Sequence, residues 1–110
     1  MDRLQNKASL DAVQAYVAHM EVERGFSRQT ALEKCLLLGE ELGELFKAVR
    51  RQTGMPIEGG AAALAVADEL ADMLIYLCAI ANRHGISLEE ALRAKEARNA
   101  TREWRPAVSA

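Results

Sequence analysis

Between Leu70 and Ala81 the chain carries a single charge, Asp72, among residues that include Met73, Leu74, Ile75, Leu77, Cys78 and Ile80. A helix that is apolar nearly all round belongs in an interior, between other helices or across a subunit interface. The stretch is too short to span a bilayer. An ionised carboxylate in such surroundings is costly unless it is paired or holds a metal. No Lys or Arg stands one turn from Asp72 on its own helix. This segment therefore demands neighbours to cover it and a cation to neutralise it.

Periodicity supplies the neighbours. Leu10, Val13, Val17 and Met20 recur at helical spacing and predict a first helix from about Ser9 to Glu23, stopped by Gly25. A second opens near Ser27 or Thr30 and runs to about Gln52. Thr30-Ala-Leu-Glu33 has the form of a capping box, in which hydroxyl and carboxylate satisfy each other's orphan backbone donors. The third spans roughly Ala61 to His84, with Gly85 as its stop. The fourth opens on a second capping box, Ser87-Leu-Glu-Glu90, and runs to about Arg102. No alternating β-branched run bounded by turns predicts a strand. The link from Met55 to Gly60 is short enough to set helices two and three side by side and antiparallel. The expected fold is all-α: a four-helix bundle with antiparallel core helices. It forms a single domain over residues 1–110, with a loose tail from about residue 105.

Composition narrows the function. Fourteen Lys plus Arg against sixteen Asp plus Glu give a net charge of −2, which offers no electrostatic case for a nucleic-acid polymer as partner. Cys35 and Cys78 both sit in apolar stretches and read as reduced, buried small hydrophobes. They are too few to found a zinc site. The N-terminal residues lack the apolar run of a signal peptide, so a soluble, cytoplasmic protein with no membrane attachment is expected. His19, His84, Arg83 and Arg98 read as surface residues. Tyr76, one turn beyond Asp72, reads as a core or interface residue.

The carboxylates are the chemical signal. Helix two reads Gly39-Glu40-Glu41-Leu42-Gly43-Glu44-Leu45, and helix three reads Asp68-Glu69-Leu70-Ala71-Asp72. Glu41 with Glu44, and Glu69 with Asp72, are acids at i and i+3 on one helix face. Glu41 falls at the border of the arc formed by Leu38, Leu42, Leu45 and Val49, and Lys34 shares its face two turns back. Lys47 is placed to pair with Glu44. Adjacent helices would gather four acids at one spot, where like charges raise each other's pKa until a divalent cation intervenes. Oxygen-only donors favour Mg²⁺, with Mn²⁺ as the alternative.

Two stretches, LGEELGEL (38–45) and DELADMLIYL (68–77), followed by AIANRHGISLEEAL (79–92) and KEARNATREW (95–104), resemble the MazG-like all-α nucleotide pyrophosphohydrolase superfamily. The likeness covers the chain from about Leu32 onward and suits a small single-domain member. It implies hydrolysis of a nucleoside triphosphate between the α and β phosphates, releasing pyrophosphate, as in nucleotide house-cleaning. By that resemblance Glu41, Glu44, Glu69 and Asp72 are the metal ligands, and Glu40 orients or deprotonates the attacking water. Lys95, Asn99 and Arg102, which share one face of helix four, would contact phosphate or sugar. Trp104 would stack on a base or pack a subunit interface. The chain departs from the aromatic and basic residues that some relatives place before the first acidic helix; Phe26 and Arg28 are the candidates there, and base selectivity stays open. The family also implies a homodimer or homotetramer, consistent with the excess apolar circumference of helix three. The competing expectation is a non-catalytic helical module that binds nucleotide or builds an oligomeric scaffold.

Overall fold

Each helix begins and ends where local chemistry satisfies its free backbone groups. The computed structural model describes residues 4–53 and 62–102, in four helices: α1 (Leu10–Arg24), α2 (Ala31–Gln52), α3 (Ala62–Arg83) and α4 (Leu88–Asn99). No strand occurs among the described residues. Ser9 caps α1 through its side chain, which accepts from the backbone N–H of Ala12. The Thr30 capping box is complete: Thr30 Oγ1 accepts from the Glu33 N–H while Glu33 Oε1 accepts from the Thr30 N–H. Ser87 caps α4 by accepting from the Glu90 N–H. Thr30→Ala is expected to cost about 1 kcal/mol of unfolding free energy, read as a lower urea midpoint at unchanged slope.

The C-terminus of α1 sets up the site. Gly25 adopts φ +80°, and the Phe26 N–H donates 2.8 Å to the Glu21 carbonyl while Gly25 N–H donates 3.3 Å to Val22. This is the Schellman arrangement, which favours glycine because a Cβ is strained at positive φ. Its effect is to turn the chain so that Phe26 comes back toward the helix it has just left.

The helices pack in a chain of pairs. α2 and α3 make the principal contact, α1 lies on α3, and α4 packs on α1. Lys34 meets Tyr76, whereas Glu41 meets Glu69 and Asp72, so ascending positions on α2 face descending ones on α3. The pair is antiparallel, as the short link predicts; the link itself, Met55 to Gly60, lies outside the described residues. The tail from residue 105 lies outside them too. Gln14 ties α1 to the start of α4: its Nε2 donates to Asn82 Oδ1 and to the Ile86 carbonyl, and its Oε1 accepts from the Leu88 N–H.

The core is small. Among the described residues the buried hydrophobes are Val17, Met20, Ala48, Cys78, Ala79 and Ala81. By contrast Leu32, Leu36 and Phe46 on α2 are at least 65% exposed, and Leu70, Leu74 and Leu77 on α3 are also exposed.

Four expectations are corrected. Cys35 is exposed, because it falls on the outer face of α2; only Cys78 is buried. Arg83 is not a solvated residue: its guanidinium donates to Glu21 and to the carbonyls of Phe26, Gln29 and Ala79. α4 ends at Asn99, so Arg102 lies beyond the helix rather than on the face that carries Lys95 and Asn99. The inward face of α2 is the row Lys34, Leu37, Leu38, Glu41, Leu45 and Ala48, with Leu42 and Val49 exposed; Glu41 is thus on that face and not at its border.

Candidate metal centre

The antiparallel register of α2 and α3 brings acids from the two helices together. One carboxylate oxygen from each of Glu41, Glu69 and Asp72 lies within 4.8 Å of the other two. Glu41 and Glu69 are half-buried and Asp72 is on the exposed side. Negative charges this close oppose ionisation, and the Glu41 carboxyl is pushed up to about 7. Its leading cause is the hydrogen bond a protonated Glu41 makes to Glu69, followed by burial and by the charges of Glu69, Asp72 and Glu44. Asp72 is raised as well, first by burial and then by Glu69 and Asp68. Glu69 Oε2 is buried and finds no hydrogen-bond partner among the described residues.

These features fit a divalent cation. Three convergent carboxylates supply oxygen donors alone, the preference of Mg²⁺ and Mn²⁺. A buried, unpartnered carboxylate oxygen and a carboxyl held near-neutral by its neighbours both gain from a positive charge placed among them.

The other predicted acids stand at the edge of this group. Glu44 is one turn beyond Glu41, exposed, and paired with Lys47 at 3.6 Å, although its charge is still felt at Glu41. Glu40 is exposed next to Glu41, and its charge helps raise the Tyr76 hydroxyl, for which burial is the main cause and Glu41 and Asp72 contribute. Lys95 is exposed, and Asn99 Nδ2 donates to Glu96 Oε1. No residue of α4 belongs to the acidic group or to the cavity beside it. Trp104 lies outside the described residues.

That cavity is about 350 Å³; Phe26 in its wall was a candidate from the sequence, whereas the Glu21 and Gln29 contributions were not read from it. Asp72 forms part of its wall, with Phe26, Gln29, Lys34 and Tyr76 around it and Glu21 behind. Glu21 and Lys34 are charged residues on the inward faces of α1 and α2, and they meet at 2.9 Å with both side chains 5% exposed. Arg83 reaches the same carboxylate from α3, Nη1 to Oε1 at 2.7 Å and Nη2 to Oε2 at 3.0 Å. The sequence signal was Lys34 on the face of Glu41, a charge at an inward position that called for a partner from another helix. A larger cavity of about 600 Å³, between residues 4–9 and α1, contains none of the predicted site residues.

Comparison with known proteins adds the following. Residues 26–103 match the model of the MazG nucleotide pyrophosphohydrolase domain. Among solved structures the chain is similar to iMazG from Vibrio DAT 722, with 29% identity, a TM-score of 0.64, and coverage of 89% of this chain and 100% of that one. No curated protein matches the sequence. No helix among the described residues is long and apolar enough to cross a membrane.

Proposed function

The chain belongs to the MazG nucleotide pyrophosphohydrolase domain family, and on that premise we propose that it hydrolyses a nucleoside triphosphate between the α and β phosphates, with Mg²⁺ held at Glu41, Glu69 and Asp72. The observation that carries this reading is the convergence of those three carboxylates from two helices. Glu44, one turn beyond Glu41, would be the fourth ligand, and the exposed pair it makes with Lys47 is worth little in water. A divalent cation held there screens the phosphate charge and makes the reacting phosphorus more electrophilic. Glu40, beside Glu41 on the solvent side, accepts the proton of the attacking water. The cavity that shares Asp72 receives the nucleoside, and Phe26 and Tyr76 offer it aromatic surface. Lys95, Asn99, Arg102 and Trp104 are assigned to the triphosphate and sugar on the strength of the family alone.

The test is pyrophosphate release from a panel of canonical deoxynucleoside and ribonucleoside triphosphates, with Mg²⁺, with Mn²⁺ and with chelator. Metal-dependent release from at least one nucleotide is expected; silence across the panel refutes the reading.

The exposed stripe of Leu32, Leu36, Phe46 and Val49, with Leu70, Leu74 and Leu77, supports assembly into a homodimer or homotetramer. Light scattering at micromolar concentration is expected to give a multiple of the 12.1 kDa chain mass, and a monomer would count against it. The same stripe suits a non-catalytic scaffold, which calorimetry separates: a scaffold shows no metal-linked nucleotide binding.

A further inference from the structure

The wall of the cavity contains polar groups that the proposed hydrolysis does not use. Lys34 Nζ lies 5.2 Å from the centroid of the Phe26 ring and 5.5 Å from that of Tyr76, so the ammonium is held against two aromatic faces. One of its three N–H donors is taken by Glu21, its one ion-pair partner among the described residues. With Arg83 on the same carboxylate, the network keeps one positive charge in excess. Gln29 lines the same cavity, and its Oε1 is buried with no hydrogen-bond partner among the described residues. A buried acceptor without a donor is costly unless a ligand supplies one.

A donor-only ammonium and an unpartnered amide oxygen therefore occur together in a cavity with aromatic walls, whose lining includes Asp72, one of the carboxylates assigned to the metal. A further anion at Lys34 would sit close to Glu21 and Asp72, whereas a neutral carbonyl oxygen would not be repelled. A ring carbonyl next to a ring N–H matches this donor and acceptor. Uracil, thymine and guanine carry that lactam edge; cytosine and adenine carry an amino group beside a bare ring nitrogen, the inverse pattern.

We propose that Lys34 and Gln29 read the base of the nucleotide: Lys34 donates to a ring carbonyl, Gln29 Oε1 accepts from the adjacent ring N–H, and the site selects lactam bases. The assignment rests on the nucleotide reading given above and narrows its substrate class.

Deoxyuridine and deoxycytidine have the same shape and differ in this edge, so they are the probes. Calorimetric titration without metal reads the pocket independently of hydrolysis. The wild-type protein is expected to bind deoxyuridine at least about tenfold more tightly. Lys34→Gln, whose amide still donates to Glu21 but also offers an acceptor, is expected to bring the ratio toward one. Gln29→Leu leaves the ion network intact and is expected to shift the ratio the same way. Equal binding of the two nucleosides by the wild-type protein, or no binding of either at millimolar concentration, overturns the assignment whether or not the variants fold. So does uniform weakening in both variants with the ratio preserved. Base preference without any pyrophosphate release would leave this assignment standing and refute the hydrolase; release without base preference does the reverse.

Discussion

Glu41→Gln and Asp72→Asn are each expected to lower metal-dependent pyrophosphate release by at least about a hundredfold, because each removes a charged oxygen from a cluster whose cation contributes several kcal/mol to the barrier. The same substitutions are expected to leave the metal-free protein as stable as before or more so. In the absence of metal, Glu41 stands against Glu69 and Asp72, and a neutral amide of the same shape relieves that opposition. Loss of activity with unchanged or improved stability is the signature of a site held at a cost, and it separates a metal ligand from a residue that merely supports the fold. The pH dependence gives the same separation. The folded-state Glu41 carboxyl lies at about 7, above its ordinary value of 4.5. Its contribution to stability is therefore full below 4.5 and lost as pH rises through about 7. Metal must displace that proton, so Mg²⁺ affinity is expected to rise across the same window. Thermal unfolding at pH 5 and pH 8, with and without Mg²⁺, checks both signs: metal-free Glu41→Gln loses this part of the pH dependence. A Glu41→Gln protein with unreduced pyrophosphate release would remove Glu41 from the site.

Glu21→Ala is expected to destabilise the chain by about 3–5 kcal/mol, a large part of the total for a domain of this size. The Glu21 side chain is 5% exposed and neutralises Lys34 from α2 and Arg83 from α3. Truncating it leaves two largely buried cations facing one another with no carboxylate between them. Burial alone would raise the Glu21 carboxyl, but the hydrogen bonds from Arg83 and Lys34 outweigh it and hold the group below its ordinary range. Because the folded value is depressed, this stabilisation is present above about 4.5 and is lost as the solution is acidified. Urea unfolding of the variant at neutral pH measures the effect. A cost under about 1 kcal/mol would mean that the network behaves as an ordinary surface ion pair. Glu21 is not one of the three acids that converge at the metal centre.

Helix boundaries were legible because caps are local. Ser9, Thr30 and Ser87 cap where their hydroxyls meet free N–H groups three residues on, and Gly25 and Gly85 stop their helices at positive φ. The pairing of Glu41 with Glu69 and Asp72 was legible for a similar reason: matched i, i+3 acids on helices joined by a short link have few ways not to meet. Lys95, Asn99 and Arg102 were less so, since helical spacing was carried past Asn99, where the helix ends.

The sequence by itself determined the four helices, their caps and the acids that α2 and α3 can bring together, because each depends on residues close along the chain or on one short connection. Only the tertiary structure decided which face of α2 turns inward. Two rows compete on that helix, one containing Leu32, Leu36 and Phe46 and the other containing Lys34, Leu37, Leu38, Glu41, Leu45 and Ala48. Both rows carry large apolar residues, so hydrophobicity alone does not choose between them. The second faces the chain's own helices because Lys34 finds Glu21 on α1, and a charge becomes an inward residue once a partner from a distant segment neutralises it.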